Sequence, residues 1–205
     1  MNNLSHLTKG LYIYFVVMEA NQQRPQAGDF LISDPFLKDP NFSRTVVLLC
    51  DHTETDGSFG FVMNRMQNTT LPDLMEGLEN YPLPVYYGGP VQRETLHFLH
   101  RQPEIIPGGL EITKGVYWGG NYDVFIRNLK AEKIDYAKIR LFQGYSGWGT
   151  GQLMEEMQVN TWITHPAQAE LIFYRQPENL WKEVLRRKGG NYEEISRYPL
   201  DPQLN

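Results

Sequence analysis

Gly144-Tyr145-Ser146-Gly147-Trp148-Gly149-Thr150-Gly151-Gln152-Leu153 is the stretch from which the rest of the chain can be ordered. It follows the strand-like run Lys138 to Phe142 and precedes a helical pattern, Gln152 to Val159, so its glycines predict a tight corner between a strand and a helix. Two other Gly- or Pro-punctuated motifs lie upstream, Ser33-Asp34-Pro35-Phe36-Leu37-Lys38-Asp39-Pro40-Asn41-Phe42-Ser43-Arg44 and Tyr87-Gly88-Gly89-Pro90-Val91. Each follows a run rich in aliphatic, β-branched or aromatic residues, which marks strand ends.

Working outward, strands are expected at Asp29 to Ser33, Thr45 to Asp51, Phe59 to Asn64, Val85 to Tyr87, Thr95 to Arg101 and Lys138 to Phe142. Asp56-Gly57 supplies hairpin chemistry in the loop His52 to Ser58. Helices are expected at Leu71 to Glu79, after a cap at Asn121, and at Gln152 to Val159, Pro166 to Tyr174 and Glu178 to Lys188. The last has an apolar stripe of Leu180, Trp181, Val184 and Leu185, with Arg186, Arg187 and Lys188 at the negative end of its dipole before Gly189-Gly190. Strands and helices mix without regular βαβ alternation, which predicts an α+β domain. That domain is expected over residues 28–205, with residues 1–27 as an N-terminal extension or tail.

A chain of 205 residues with 41% hydrophobic residues can bury roughly 70% of its unfolded surface and needs no disulfide or structural metal. Its formal net charge of −5 supplies no basic field for a phosphate backbone, so direct nucleic-acid binding is disfavoured. Cys50 is the single cysteine, which excludes an internal disulfide and fits the cytoplasm. The longest apolar run, Leu11 to Met18, falls well short of the roughly 20 residues of a membrane span.

Candidate chemistry is sparse. Gly147, Gly149 and Gly151 could offer backbone N–H groups to an anion, but their spacing matches neither the dinucleotide fingerprint nor the P-loop. Ser146 lacks the second glycine of a nucleophile elbow, since Trp148 occupies that place. His97 and His100 would point to opposite faces of a strand and so could not share an ion, and no metal or cofactor is expected. Cys50 closes an apolar run and reads as a buried small hydrophobe. Arg44, Asn64 and Arg65 at strand ends, with Gly88 and Gly89, complete a candidate ligand-binding set. A turn-fixing role for Arg44 is favoured over a ligand-binding one.

The segment Gly28 to Asn64, the Tyr87 to Val91 motif, Leu96 to His100, the Gly144 to Leu153 corner, Trp162 and Leu180-Trp181 together resemble the AlgH/YqgE family over nearly everything from Gly28 to about Gly189. The resemblance implies a mixed, bifurcated β-sheet that includes a small closed barrel, surrounded by helices. It implies no agreed catalytic residues, and some members are described as transcriptional regulators. Departures from the family pattern are Ser146 for alanine, Met154 for an acidic residue and Met66 for proline. They weigh against any scheme that needs an indispensable hydroxyl at 146, a carboxylate at 154 or a rigid turn at 66. The family's usual beginning places the native start near Met18. The expected function is regulation or adaptation through an unknown protein partner or a small anionic ligand; the alternative is an enzyme or binding protein for an anionic or phosphorylated small molecule.

Overall fold

The ladder begins with β1 (Asp29–Ser33), β2 (Val46–Thr53) and β3 (Gly57–Val62), which pair antiparallel in a computed structural model that describes residues 24–198. It continues through β4 (Met66–Thr70), β5 (Pro84–Tyr87), β6 (Val91–His100), β7 (Leu110–Thr113), β8 (Val116–Trp118), β9 (Ile139–Trp148) and β10 (Trp162–Pro166). The helices are α1 (Leu71–Leu74), α2 (Tyr122–Lys130), α3 (Gln152–Gln158), α4 (Ala169–Ile172), α5 (Leu180–Lys188) and α6 (Asn191–Ile195). The expected extension over residues 1–27 lies outside the described residues up to residue 23, as does the expected start at Met18.

One mixed sheet carries all ten strands, in the order β10-β1-β2-β3-β9-β6-β8-β7, with β4 and β5 on a side branch. The branch point is β9. One edge pairs with β6 from Ile139 to Tyr145. The other edge is divided: Ser146 to Trp148 pair antiparallel with β3, while Leu141 to Gln143 pair parallel with β5. This is the expected α+β, bifurcated architecture.

The closed barrel is corrected. Although the sheet curls until an added Cβ on Gly28 would lie 2.9 Å from the Ile112 carbonyl of β7, no ladder joins them. The reason is that β1 already has both edges occupied, by β2 and by β10.

The Gly-rich corner is also different from its sequence reading. Gly144 to Trp148 continue β9 as strand, with Gly144 at φ 68 kinking it. Glycine is needed there for approach, not for a turn. A Cβ on Gly88 would lie 2.1 Å from the Gly144 carbonyl oxygen, and one on Gly89 would lie 2.2 Å from the Tyr145 carbonyl carbon. Gly88 donates to the Gln143 carbonyl, and its own oxygen accepts from Val62 N–H and from the buried Ser146 hydroxyl.

The two faces of the sheet feed separate cores. Even positions Arg140 and Phe142 of β9 face the layer of Phe30, Leu48, Phe61 and α5, where Phe142 stacks on Phe61 at 4.9 Å. Odd positions Ile139 and Leu141 face α2 through Phe125 and Leu129. Helix α5 docks as expected on Leu180, Trp181, Val184 and Leu185, all buried, and the Trp181 indole donates to the Ser33 carbonyl at 2.9 Å. A third cluster holds Trp148 and Trp162, whose two indole N–H groups both donate to Glu156 Oε2, at 2.9 and 2.7 Å.

Gly88→Ala is expected to cost about 1–3 kcal/mol or more, as overpacking against backbone does. Gly149→Ala, whose nearest neighbour is the Gln152 side chain at 3.9 Å, should stay within about 0.5 kcal/mol. Urea unfolding midpoints of the two variants check this contrast.

Candidate functional site

Where β9 leaves the fork towards Trp148, a cavity of about 530 Å³ opens over β2, β3, β6, β8 and β9. Its floor is four half-buried rings in mutual contact. Phe59 lies 4.7 Å from Trp118, Trp118 lies 6.2 Å from His97, His97 lies 6.0 Å from Tyr145, and Tyr145 lies 6.1 Å from Phe59. Phe59 and Gly147 are cross-strand partners, and the kink at Gly144, together with a register shift between Val91 and Leu96 of β6, brings Tyr145 to the same side as His97, which is itself paired with Phe142. Trp118 is delivered by β8, paired with Leu99 of β6.

The rim is acidic. Asp51 and Asp56 line the cavity from the β2–β3 hairpin, and among the described residues no lysine or arginine lines it. Burial pushes His97 below its ordinary value, so the ring is neutral near pH 7 and does not offset the carboxylates. The cavity therefore presents aromatic faces under negative charge.

The candidate set from sequence is dispersed and forms no single site. Asn64 accepts from Val46 N–H and donates to the Arg44 carbonyl, tying the end of β3 to the start of β2. Arg65 donates to the Pro40 and Ser43 carbonyls, at 2.7 and 3.0 Å, and so clasps the Asp39 to Arg44 loop. Arg44, at φ 51, donates to the Tyr198 carbonyl and lies 4.6 Å from the Trp181 ring. Gly88 and Gly89 form the close approach to β9.

Gly147 alone borders the aromatic cavity, while Gly149 and Gly151 border a smaller neighbouring one of about 270 Å³ beside His52 and Glu54. The Gly149 N–H donates to the Gln152 side chain. Gly151 caps a helix of 7 residues, α3.

The His97 and His100 side chains stand on opposite faces of β6, as the alternation predicts; the His100 ring is fully buried against the Gly119 carbonyl at 2.9 Å. Cys50 is buried, and its thiol is pushed far above the usual range by desolvation, with Asp51 adding to the effect.

Among the described residues one Ser–His contact exists, His52 Nδ1 to Ser58 Oγ at 2.7 Å, between directly opposed residues of β2 and β3. Nucleophile activation needs a third group that orients the ring. Among the described residues no carboxylate bonds the other His52 nitrogen, so the pair acts as a cross-strand hydrogen bond.

Phe59, Trp118 and Tyr145 were not singled out by the sequence, and neither was Glu156. The available signal was period-two alternation in β9, which puts Tyr145 and Gly147 on one face. Trp118 carried no such signal, because the strand that brings it is three residues long.

This architecture, an α+β domain on a forked sheet, is shared with solved structures. The solution structure of the AlgH protein from Pseudomonas aeruginosa is 30% identical, with a TM-score of 0.67 over 87% of this chain and 97% of that one. The crystal structure of protein DIP2367 from Corynebacterium diphtheriae, 19% identical, shares the fold with a TM-score of 0.71 over 89% of this chain and 97% of its own. The chain belongs to the AlgH-like family, whose model matches residues 30–193. Relatives called UPF0301 proteins include one from Chlorobium limicola, 40% identical over 93% of this chain and 100% of the relative, and one from Bacteroides thetaiotaomicron, 38% identical over 92% and 95%.

Burial holds His97, His100 and His165 below the ordinary histidine value, with Lys188 adding to the effect at His165. The unfolded chain therefore takes up protons first as pH falls through about 6.5. Stability contributed by the neutral rings is complete above that pH and is lost as pH drops below it. The urea midpoint is expected to fall between pH 7.5 and 5.5, and His97→Phe should flatten the slope. Asp29, whose carboxyl is raised by burial, acts in the opposite sense at lower pH, which is why the window stops at 5.5.

Proposed function

We propose that this protein is a regulatory or adaptor protein that works through the aromatic cavity and has no chemistry of its own. The observation that carries the reading is the floor of four half-buried rings under Asp51 and Asp56. Large rings left half open to solvent supply the area from which binding hot spots are made. The charge on the rim selects the occupant: a segment of a protein partner that presents arginine or lysine. A guanidinium stacks on aromatic faces while its edge bonds carboxylate. A cytoplasmic setting belongs to the same reading and is supported by the single, buried cysteine.

The anionic-ligand alternative has less support at Arg44, Arg65 and the glycines. Arg65 is engaged with two carbonyls, Gly149 with Gln152, and Gly147 borders an acidic cavity. Direct DNA binding would likewise set phosphates against Asp51 and Asp56, so it remains disfavoured.

Twelve-residue peptides that differ only in a central Arg, Lys, Ala or Glu are expected to bind in that order of affinity. Asp51→Asn with Asp56→Asn should weaken the Arg peptide about tenfold, or about 1.4 kcal/mol. Trp118→Ala should weaken it by about 1–2 kcal/mol. Isothermal titration checks both; affinity indifferent to the central residue, or unmoved by the rim substitutions, would sink the proposal.

A further inference from the structure

Strand β9 carries a second feature at its other end. Arg140 is 7% exposed. Its Nη1 donates to the Met63 carbonyl at 3.1 Å, its Nη2 donates to the Tyr174 carbonyl at 2.8 Å, and its guanidinium lies 4.4 Å from the centre of the Tyr86 ring. A guanidinium has five N–H donors, so three are left without a protein acceptor among the described residues. No described carboxylate lies within ion-pair distance of it.

Carbonyl dipoles and one ring face are weak compensation for a whole buried charge, and interiors ordinarily pair such a charge with a carboxylate or another anion. Desolvation accordingly pushes the Arg140 guanidinium below its ordinary range. Beside it lies a cavity of about 210 Å³ between β5, the start of β9, the 3₁₀ turn Tyr136–Lys138 and residues 173–175. Leu83, Pro84 and Phe173 give it apolar walls, and Tyr136 and Arg175 stand exposed at its border.

We propose that this cavity binds the carboxylate of a small organic acid, with Arg140 as the charge at its base and Arg175 at its mouth. The net charge of the ligand follows from the count of buried cations. One monoanion neutralises one guanidinium, whereas a phosphate, carrying about −1.5 to −2 near neutral pH, would leave excess negative charge against apolar walls. Planar guanidinium and planar carboxylate also match as a two-bond fork. The size sets the rest: ligand pockets commonly run about 300–1,000 Å³, so this one takes a single ring or a short branched chain. The site shares no lining residue with the aromatic cavity and stands independently of the adaptor reading.

The test is a titration of the full-length, ¹⁵N-labelled protein with benzoate, benzamide and inorganic phosphate at fixed ionic strength. Benzoate is expected to give saturable amide shifts confined to residues 85–87, 136–141 and 173–175, with affinity at least tenfold above that of benzamide and of phosphate. Ala137→Trp, placed at an exposed position of the cavity wall, should weaken benzoate at least tenfold while the remaining spectrum is unchanged. Arg175→Ala should weaken it two- to fivefold, and Arg140→Met should abolish it. Should Arg140→Met fail to fold, Ala137→Trp and the benzamide comparison decide. Benzamide binding as well as benzoate, phosphate binding more tightly, no saturable shifts in the three segments, or benzoate binding undiminished in Ala137→Trp would each overturn the proposal.

Discussion

The contact between the Gly88-Gly89 backbone and residues 144–146 of β9 is the constraint on which the remaining architecture depends. No side chain fits between these two segments. Because β5 runs into that contact, β9 cannot give its whole edge to β3, and the sheet must divide there. The fork then leaves backbone groups that no ladder can pair. Gly88 supplies its oxygen to Val62 and Ser146, and Arg140 reaches across to the Met63 carbonyl. Backbone proximity, topology and the buried cation are thus parts of one arrangement.

Division of the sheet also divides its electrostatics. At the Tyr145 end of β9 the surface is aromatic and acidic, with a histidine kept neutral by burial. At the Arg140 end it is apolar, with a guanidinium held by two carbonyls that no described carboxylate neutralises. The overall charge of −5 conceals this polarity, since it sums over the whole chain and says nothing about either end of one strand. A sequence-level argument from net charge disfavours nucleic acid as a partner, but it could not locate a cation facing a cavity.

Much of the fold was legible because several strands and α5 combine strong local patterns with clear ends. The exceptions have physical causes. Met-Gln-Asn-Thr-Thr of β4 has little apolar character and is held by its pairing with β5. Strands β7 and β8 are too short to show a period. β10 ends in Pro166, which sequence reading took as the start of a helix that in fact begins at Ala169. In β9, glycine was read as a turn, whereas continuation of the strand from Gly144 to Trp148 was enforced by partners 50 to 90 residues away in sequence. The same distance hid the aromatic floor. Arg140 was closer to hand: it shares the phase of Phe142 in an otherwise apolar strand, and a charge in phase with a core residue is a local anomaly.

The divided edge of β9 has a consequence for which changes in length the chain can absorb. Inserting or deleting one residue between Ile139 and Trp148 would exchange the two faces beyond that point, turning Arg140 or Phe142 towards α2, or Tyr145 away from its ring partners. Because β3, β5 and β6 all take their register from this strand, no single neighbour could shift to absorb the error. Length variation among relatives should therefore collect in exposed loops such as 54–56 and 131–133, leaving β9 as the ruler against which other segments are measured.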